Sequence, residues 1–323
     1  FTLDEAAWLF FKLYKVGPII CINVYNATDH PGGVSEVDST DINGGLELVE
    51  SAMTELNFIP SHILAPRYSQ AAAVKTVLHT MNSVGGFACM VFEDLLDDPL
   101  DDDAAAKDAA VAEADAITTD NVMMFWPERG GFPLSTIACA IAEWVTITKY
   151  AGIPMGSPSN KQILVDYAAD DRVVLAAWLD ALNEVGVTTW KQVRSVCNLW
   201  GSQLAPYDYG EAADYVNDSY IPRRLRNYIE ERVKTEFHKY VDDPANIRLI
   251  EDVVAKLNDF GGSLIGKGAA LGFRCDFFQE KNSLSDLTAG KVTFTITMLA
   301  PHEASDINFD IVTDLTYYDT LFG

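Results

Sequence analysis

Apolar positions in the first 150 residues come in short runs and helical stripes that alternate along the chain. Residues 19–25, Ile-Ile-Cys-Ile-Asn-Val-Tyr, are rich in β-branched side chains and lie between Gly17-Pro18 and Asn26, which predicts a buried strand. Leu46, Val49, Met53 and Leu56 share one helical face behind Gly44-Gly45. Residues 63–65 form the next strand, closed by Pro66. Ser69 is placed to cap a helix with the stripe Val74, Val77, Leu78 and Met81, which Gly85-Gly86 ends. Residues 87–92 and 122–126 predict a third and a fourth strand, the latter stopped by Pro127. An alanine-rich helix over 104–116 lies between them, and a further helix covers 135–148. Alternation of helices with short apolar strands predicts an α/β fold, a parallel or mixed sheet covered by helices on both faces.

A Gly-, Pro- and Ser-rich stretch, 152–160, is the best candidate boundary and divides a domain over 1–156 from one over 157–323. Beyond it the pattern becomes α+β. Val174, Trp178, Leu182 and Val185 stripe a helix ended by Gly186, and 192–199 reads as a strand. Residues 223–240 predict a helix with Leu225, Ile229, Val233 and Phe237 stacked at i+4 spacing. Asp243-Pro244 has the form of an N-cap followed by an N1 proline. The stripe Ile247, Ile250, Val254 and Leu257 follows and is stopped by Gly261-Gly262. In 291–299, Val292, Phe294, Ile296 and Met298 alternate with threonines; in 306–311, Ile307, Phe309 and Ile311 alternate with Asn308 and Asp310. Two such segments predict an antiparallel hairpin with one face buried.

Composition narrows the function classes more than the fold. The 323 residues are 49% hydrophobic and 22% charged, ordinary for a globular chain with a sizeable core. With 23 Lys and Arg against 47 Asp and Glu the formal net charge is −24, which repels phosphate backbones and anionic lipid surfaces. Neither nucleic acid nor membrane is expected as a partner. No apolar run approaches the ~18 residues of a membrane span, and 134–148 carries Glu143 in its middle. The chain begins at Phe1 without the charged and apolar regions of a signal peptide. Cys21, Cys89, Cys139, Cys197 and Cys275 are widely spaced, odd in number and mostly in apolar contexts, which predicts reduced thiols made in a cytoplasm.

Candidate chemistry is sparse. His30, His62, His79, His238 and His302 are scattered without ligand spacing, and no G-x-S-x-G elbow occurs. The glycine-rich run 266–272 follows a helix rather than a strand and fits neither dinucleotide nor P-loop spacing, so it reads as a helix-to-strand turn. Asp97, Asp98, Asp101, Asp102 and Asp103 lack the calcium-loop pattern and read as a solvated loop. No catalytic, metal or cofactor site is expected. One segment departs from its surroundings: 220–240 holds six Lys or Arg against three Glu, a local +3. Two readings stand side by side. The helix is laced by its own ion pairs, such as Arg226 with Glu230, or it meets an acidic partner.

Several motifs in this order resemble the tail sheath proteins of contractile phages. They are 121–127 (Asn-Val-Met-Met-Phe-Trp-Pro), Leu134-Ser135-Thr136, Ser157-Pro158-Ser159-Asn160-Lys161, Leu199-Trp200-Gly201, 221–225 (Ile-Pro-Arg-Arg-Leu), Gly290-Lys291, Ala300-Pro301 and Tyr317-Tyr318. Upstream, 58–66 with Ser69 fits the same family, and the match spans about Gly44 to Phe322. The resemblance implies a subtilisin-like α/β core without a protease site, followed by an α+β C-terminal domain. It implies a structural subunit that polymerises with copies of itself around a tail tube and contracts to drive the tube through a cell envelope. That places the chain in a virion tail or phage-like particle assembled in the bacterial cytoplasm. Family members usually carry a longer N-terminal arm and an inserted β-rich domain where only 27–43 stands here, so the chain reads as a naturally short or a truncated sheath. The alternative is a two-domain α/β hydrolase or nucleotide-binding enzyme, because parallel strands suit both. On the sheath reading, Arg223, Arg224, Arg226, Arg232 and Lys234 face an acidic tube. Leu315, Tyr317, Tyr318, Leu321 and Phe322 are too many apolar side chains for a solvated terminus: either the tail folds back on its own domain or, as the resemblance implies, Thr313, Leu315, Tyr317, Tyr318, Leu321 and Phe322 belong to an inter-subunit arm.

Overall fold

The computed structural model describes residues 2–96, 102–207, 209–210, 214–305, 307–313 and 316. In chain order it contains α1 (Leu3–Trp8), which runs on as a π-helical stretch over Leu9–Tyr14, then α2 (Ser39–Glu47) and α3 (Ala52–Leu56). Next come β1 (His62–Leu64), α4 (Ala72–Thr80), β2 (Ser83–Val84), β3 (Phe87–Ala88) and β4 (Met90–Asp94). They are followed by α5 (Asp103–Ala114), β5 (Val122–Phe125), α6 (Leu134–Tyr150), α7 (Leu179–Glu184), β6 (Val187–Val193) and β7 (Val196–Trp200). The C-terminal part holds α8 (Tyr220–Phe237), α9 (Ile247–Gly266), β8 (Gly272–Asp276), α10 (Leu284–Thr288) and β9 (Thr295–Leu299).

Five strands in the order β1-β4-β5-β6-β7 make the central sheet, parallel from β1 to β6 and antiparallel at β6/β7. Both faces are covered, which is why β4 and β5 are buried at every position and read as unbroken apolar runs. Met90, Phe92, Met123 and Phe125 point to one face, against α6. Val91, Val122 and Met124 point to the other, against α4 and α5. The sheet crosses the expected boundary at 156/157, because β6 and β7 extend a layer begun at β1. The α+β part has its own smaller cores. One joins Leu225 and Ile229 of α8 to Leu264, Ala270 and Ala300, and another joins Val253 and Leu257 of α9 to Cys275 of β8.

Several sequence expectations are corrected. Residues 19–25 are assigned to no strand and join no ladder. The α2 helix starts at Ser39, not after the glycines, because Asp38 and Asp41 form a capping box that outweighs the cost of Gly44-Gly45 inside a helix. Gly45 is required there: a Cβ would lie 2.5 Å from Val24 Cγ1. Ser69 does not cap α4. Its Oγ accepts from the Asp94 backbone N–H at 3.0 Å, and Ala71 stands at the N-cap. Gly85-Gly86, with φ of +57° and +80°, makes the turn of the small β2/β3 hairpin, so 87–92 is two strands rather than one. Residues 187–200 likewise form a hairpin, turning at Arg194 (φ +56°), where one strand was expected. The cap of α9 is Asn246, which accepts from Leu249 N–H at 3.0 Å, and the helix continues through Gly261-Gly262. Gly261 lets Phe273 approach to where a Cβ would be 1.9 Å from its ring.

The C-terminal hairpin forms with different strands. The β9 strand pairs antiparallel with β8, from Gly272↔Leu299 to Asp276↔Thr295, and 266–272 is the helix-to-strand turn that feeds it. Residues 307–311 belong to no strand among the described residues; Ile307, Phe309, Ile311 and Val312 are 65%, 84%, 89% and 77% exposed.

Candidate functional site

Helix α8 begins where three parts of the fold meet. Tyr220 and Ile221 belong to the core beneath the sheet, whereas Leu225 and Ile229 belong to the C-terminal core. The single helical stripe expected from i+4 spacing therefore serves two cores. The same twist divides the basic residues. Arg223 turns inward: Nε donates to Asn121 Oδ1 at 2.5 Å and Nη1 donates to Asn217 Oδ1 at 2.5 Å, with Asp120 at 3.8 Å. Asn227 donates to the same Asn121 oxygen at 3.0 Å. Arg224 is buried beside Tyr220 and Glu143, and its charge acts on both. Arg224 is closed to an outside surface, and only 12% of the Arg223 side chain is exposed.

Arg226, Arg232 and Lys234 stay at the surface, each with an intramolecular partner. Arg226 pairs with Glu230 at 3.0 Å, as the i,i+4 spacing implies, and Arg232 pairs with Glu236 at 3.3 Å. Lys234 Nζ donates to the Gly86 carbonyl at 2.5 Å, over the Phe87 ring.

Sequence reasoning missed what holds the helix start. Glu303, in the chain that leaves β9, accepts from Ile221 N–H at 2.9 Å and from Ser219 Oγ. A carboxylate there satisfies an orphan donor of the first turn and complements the helix dipole. Tyr215 OH donates to the Ala300 carbonyl beside it. The C-terminal segment is thus pinned up to Glu303 and leaves the body at 307–313. Thr313 is exposed; Leu315, Tyr317, Tyr318, Leu321 and Phe322 lie outside the described residues, as do Asp97, Asp98, Asp101 and Asp306. A groove of about 510 Å³ runs between β9 and α8, lined by Pro222, Ile229, Val233, Met298 and Ala300. Asn121 was legible only in part: it stands at φ +65°, a conformation that asparagine tolerates better than most residues.

Three polar clusters in the core have the residue types of catalysis but not its arrangement. His62 Nδ1 lies 3.1 Å from Glu143 Oε1 and 3.0 Å from Ser61 Oγ, while Nε2 is 3.0 Å from Tyr220 OH. Serine and acid crowd the same ring nitrogen and tyrosine fills the other, so the imidazole has no free nitrogen to take a proton from a nucleophile. Burial pushes His62 down and keeps it neutral. Burial works to raise Glu143, but its bonds from His62 and Ser61 and the Arg224 charge bring it to about 2. On the opposite face, Glu93 is fully buried between Lys75 (2.9 Å) and His79 (2.5 Å). Asp94 accepts from Ser135 N–H at 2.9 Å and Oγ at 2.6 Å, across from Ser69. Burial, only partly offset by those bonds, raises Asp94 to about 7. Of the remaining acidic run, Asp102 caps α5 by accepting from Ala104 N–H, and Asp103 pairs with Arg172.

No family model matches the chain. It is similar to the tail sheath protein of Burkholderia phage BcepMu, with 25% identity over 313 residues, covering 90% of this chain and 63% of that protein. The chain thus spans less than two thirds of the length of the curated relative. In the solved structures it superposes on a chain of the anti-feeding prophage baseplate with a TM-score of 0.73 at 16% identity, covering 97% of this chain and 80% of that one. It also superposes on the sheath complex of an extracellular contractile injection system, PVC, in its contracted state. There the TM-score is 0.65 at 14% identity, covering 95% and 90%. The fold is that of a contractile tail sheath subunit. Within this fold the central sheet with its buried polar clusters holds the two larger cores. Among the described residues no helix is long and apolar enough to cross a membrane.

Proposed function

We propose that this chain is a structural subunit of a contractile sheath, in which copies polymerise around a tail tube and repack on contraction to drive the tube through a cell envelope. The observation that carries the reading is the tail: a segment patterned like a strand, 307–312, follows a root pinned by Glu303 and carries four large apolar side chains that are 65–89% exposed. Covering its four large apolar side chains is worth about 6–12 kcal/mol before ordering costs, too much to leave to water in the working state. A neighbouring copy would offer the segment a strand edge: β9 pairs with β8 on one side, has no other strand partner among the described residues, and lies beside the groove against α8. Backbone hydrogen bonds would give affinity and alternate side chains the register. The arm continues through 313–323, including Leu315, Tyr317, Tyr318, Leu321 and Phe322. Subunits joined this way stay tethered while the lattice changes shape, and no nucleotide or cofactor is needed, because the energy lies in the metastable lattice.

The tube-facing role belongs to the surface members of the basic helix, Arg226, Arg232 and Lys234. Their effect would be on register and encounter rate with an acidic tube rather than on deep affinity. The particle is a virion tail or a phage-like device, assembled in the bacterial cytoplasm. Negative-stain microscopy of the chain at high concentration tests the assembly: tubes or rods are expected, and deleting 313–323 should leave a folded monomer that forms none. Normal polymerisation of the deleted chain, or its outright unfolding, refutes the arm.

A further inference from the structure

A second groove, larger than the one between β9 and α8, lies along β1, the edge strand of the central sheet. This groove of about 1300 Å³ separates β1 from residues 19–25; Ile63 and Leu64 line one wall and Ile20, Ile22 and Val24 the other. Among the described residues neither wall has a strand partner across the gap. We infer that residues 19–25 are a strap that closes onto β1 as a sixth, parallel strand.

The facing of the side chains supports it. Along β1, Leu64 packs on the core under α6 and Ile63 on the core under α4 and α5. The strap already shows the same alternation: Ile19 packs on the first core, while Ile22 and Val24 lie against Gly45 of α2, whose neighbour Leu46 is in the second. A strand sends successive side chains to opposite faces, so the strap needs translation toward β1 and no inversion.

Topology supports it independently. The chain runs β1, α4, β4, α5, β5, with those strands adjacent in that order and both helices on the second core. Ahead of this series stand the strap and then α2, which also packs on the second core through Leu46 and touches α4. Crossovers of one hand with helices on one face place each successive strand one step along the sheet. Extended backward by one unit, that rule puts the strap parallel to β1 on its outer side, where the groove is. Closure would pair a bare edge, which natural sheets seldom leave exposed, and would cover Ile20, now 37% exposed. Open, the strap leaves the β1 edge accessible.

The inference stands whether or not the chain builds a sheath, and it is tested on the full chain as a dilute monomer. Hydrogen exchange should show amides of 19–25 slowed at least about tenfold relative to an unstructured peptide. That protection should be unchanged on tenfold dilution. For geometry, Leu64→Cys places a thiol on the face shared by Cys21, and Ile63→Cys places one on the opposite face. Diamide oxidation followed by peptide mapping should link Cys21 in the first variant at least about tenfold more than in the second. Fast exchange through 19–25 overturns the inference. So does protection that disappears on dilution, which would mean that a second copy fills the slot. Equal linking in both variants, with far-ultraviolet circular dichroism showing both folded, overturns the parallel alignment and with it the strap.

Discussion

Asp94→Asn should stabilise the protein by an amount that depends on pH in a defined way. Asp94 ends β4 inside the core, and its two oxygens meet the Ser135 N–H and hydroxyl at the start of α6. Burial raises it from 3.8 to about 7. A carboxyl raised in the folded state favours folding most when it is protonated in both states. That contribution is complete below about pH 4 and is lost as pH rises through about 7, after which it is flat. A shift of about three units at 1.36 kcal/mol each gives a ceiling of about 4 kcal/mol. Asparagine reproduces the protonated form: its carbonyl still accepts from the Ser135 N–H, and its amide donates to the hydroxyl, which turns to accept. Urea unfolding of both proteins from pH 4 to pH 8 reads the difference. The opposing trends from His62 and Glu143 are common to both proteins and cancel. Near-equal stability is expected at pH 4, with the variant's advantage growing to several kcal/mol by pH 8. A difference that stays constant with pH, or an advantage that grows toward acid, would refute the reasoning.

Three further outcomes follow from the packing. Gly261→Ala should lower stability by about 1–3 kcal/mol, because the new methyl group lands on the Phe273 ring between α9 and β8; thermal unfolding reads it, and an unchanged midpoint contradicts the close approach. Glu303→Ala should cost about 1–2 kcal/mol in urea unfolding, through the loss of the carboxylate at the start of α8, while a neutral result would mean that the tail root is not held there. Reversing Arg226 and Arg232 to Glu should leave monomer stability within about 1 kcal/mol, since exposed ion pairs contribute little. The same variant should weaken co-sedimentation with an acidic tube, less so at high salt; unchanged binding removes the tube-facing role.

How much was legible in the sequence varied with the physical signal. The buried strands β4 and β5 and the long helix α6 announced themselves, because near-complete burial leaves an apolar run, whereas α8 showed as one apolar stripe at i+4 spacing. Glycine pairs misled in two places for one reason. Gly44-Gly45 read locally as the start of a helix and Gly261-Gly262 as the end of one. Both pairs lie inside helices, where Gly45 and Gly261 make room for Val24 and Phe273, a tertiary requirement that no local pattern carries. Alternation in 306–311 predicted the second strand of a hairpin, but 307–311 form no strand among the described residues, because a period-2 pattern does not say what would pair with it. The basic helix was visible as charge, but its division into inward Arg223 and Arg224 and outward Arg226, Arg232 and Lys234 depends on Asn121, Asn217 and Glu143, which are distant in sequence or buried.

The start of α8 explains how a tether at the C-terminus could act on the core. Glu303 binds the helix at Ser219 and Ile221; one turn on, Arg223 and Asn227 share Asn121 at the entry to β5, and Tyr220 meets His62 on β1. Hydrogen bonds to buried partners in a close-packed interior are stiff, because a small displacement leaves polar groups unpaired. A pull on 307–312 is therefore passed through Glu303 to α8 and from there to two sheet strands, rather than absorbed in a flexible linker. On the proposed sheath reading this is the property a linked lattice requires: each subunit moves as a body when its neighbour moves, and the strain is concentrated in the arm between bodies.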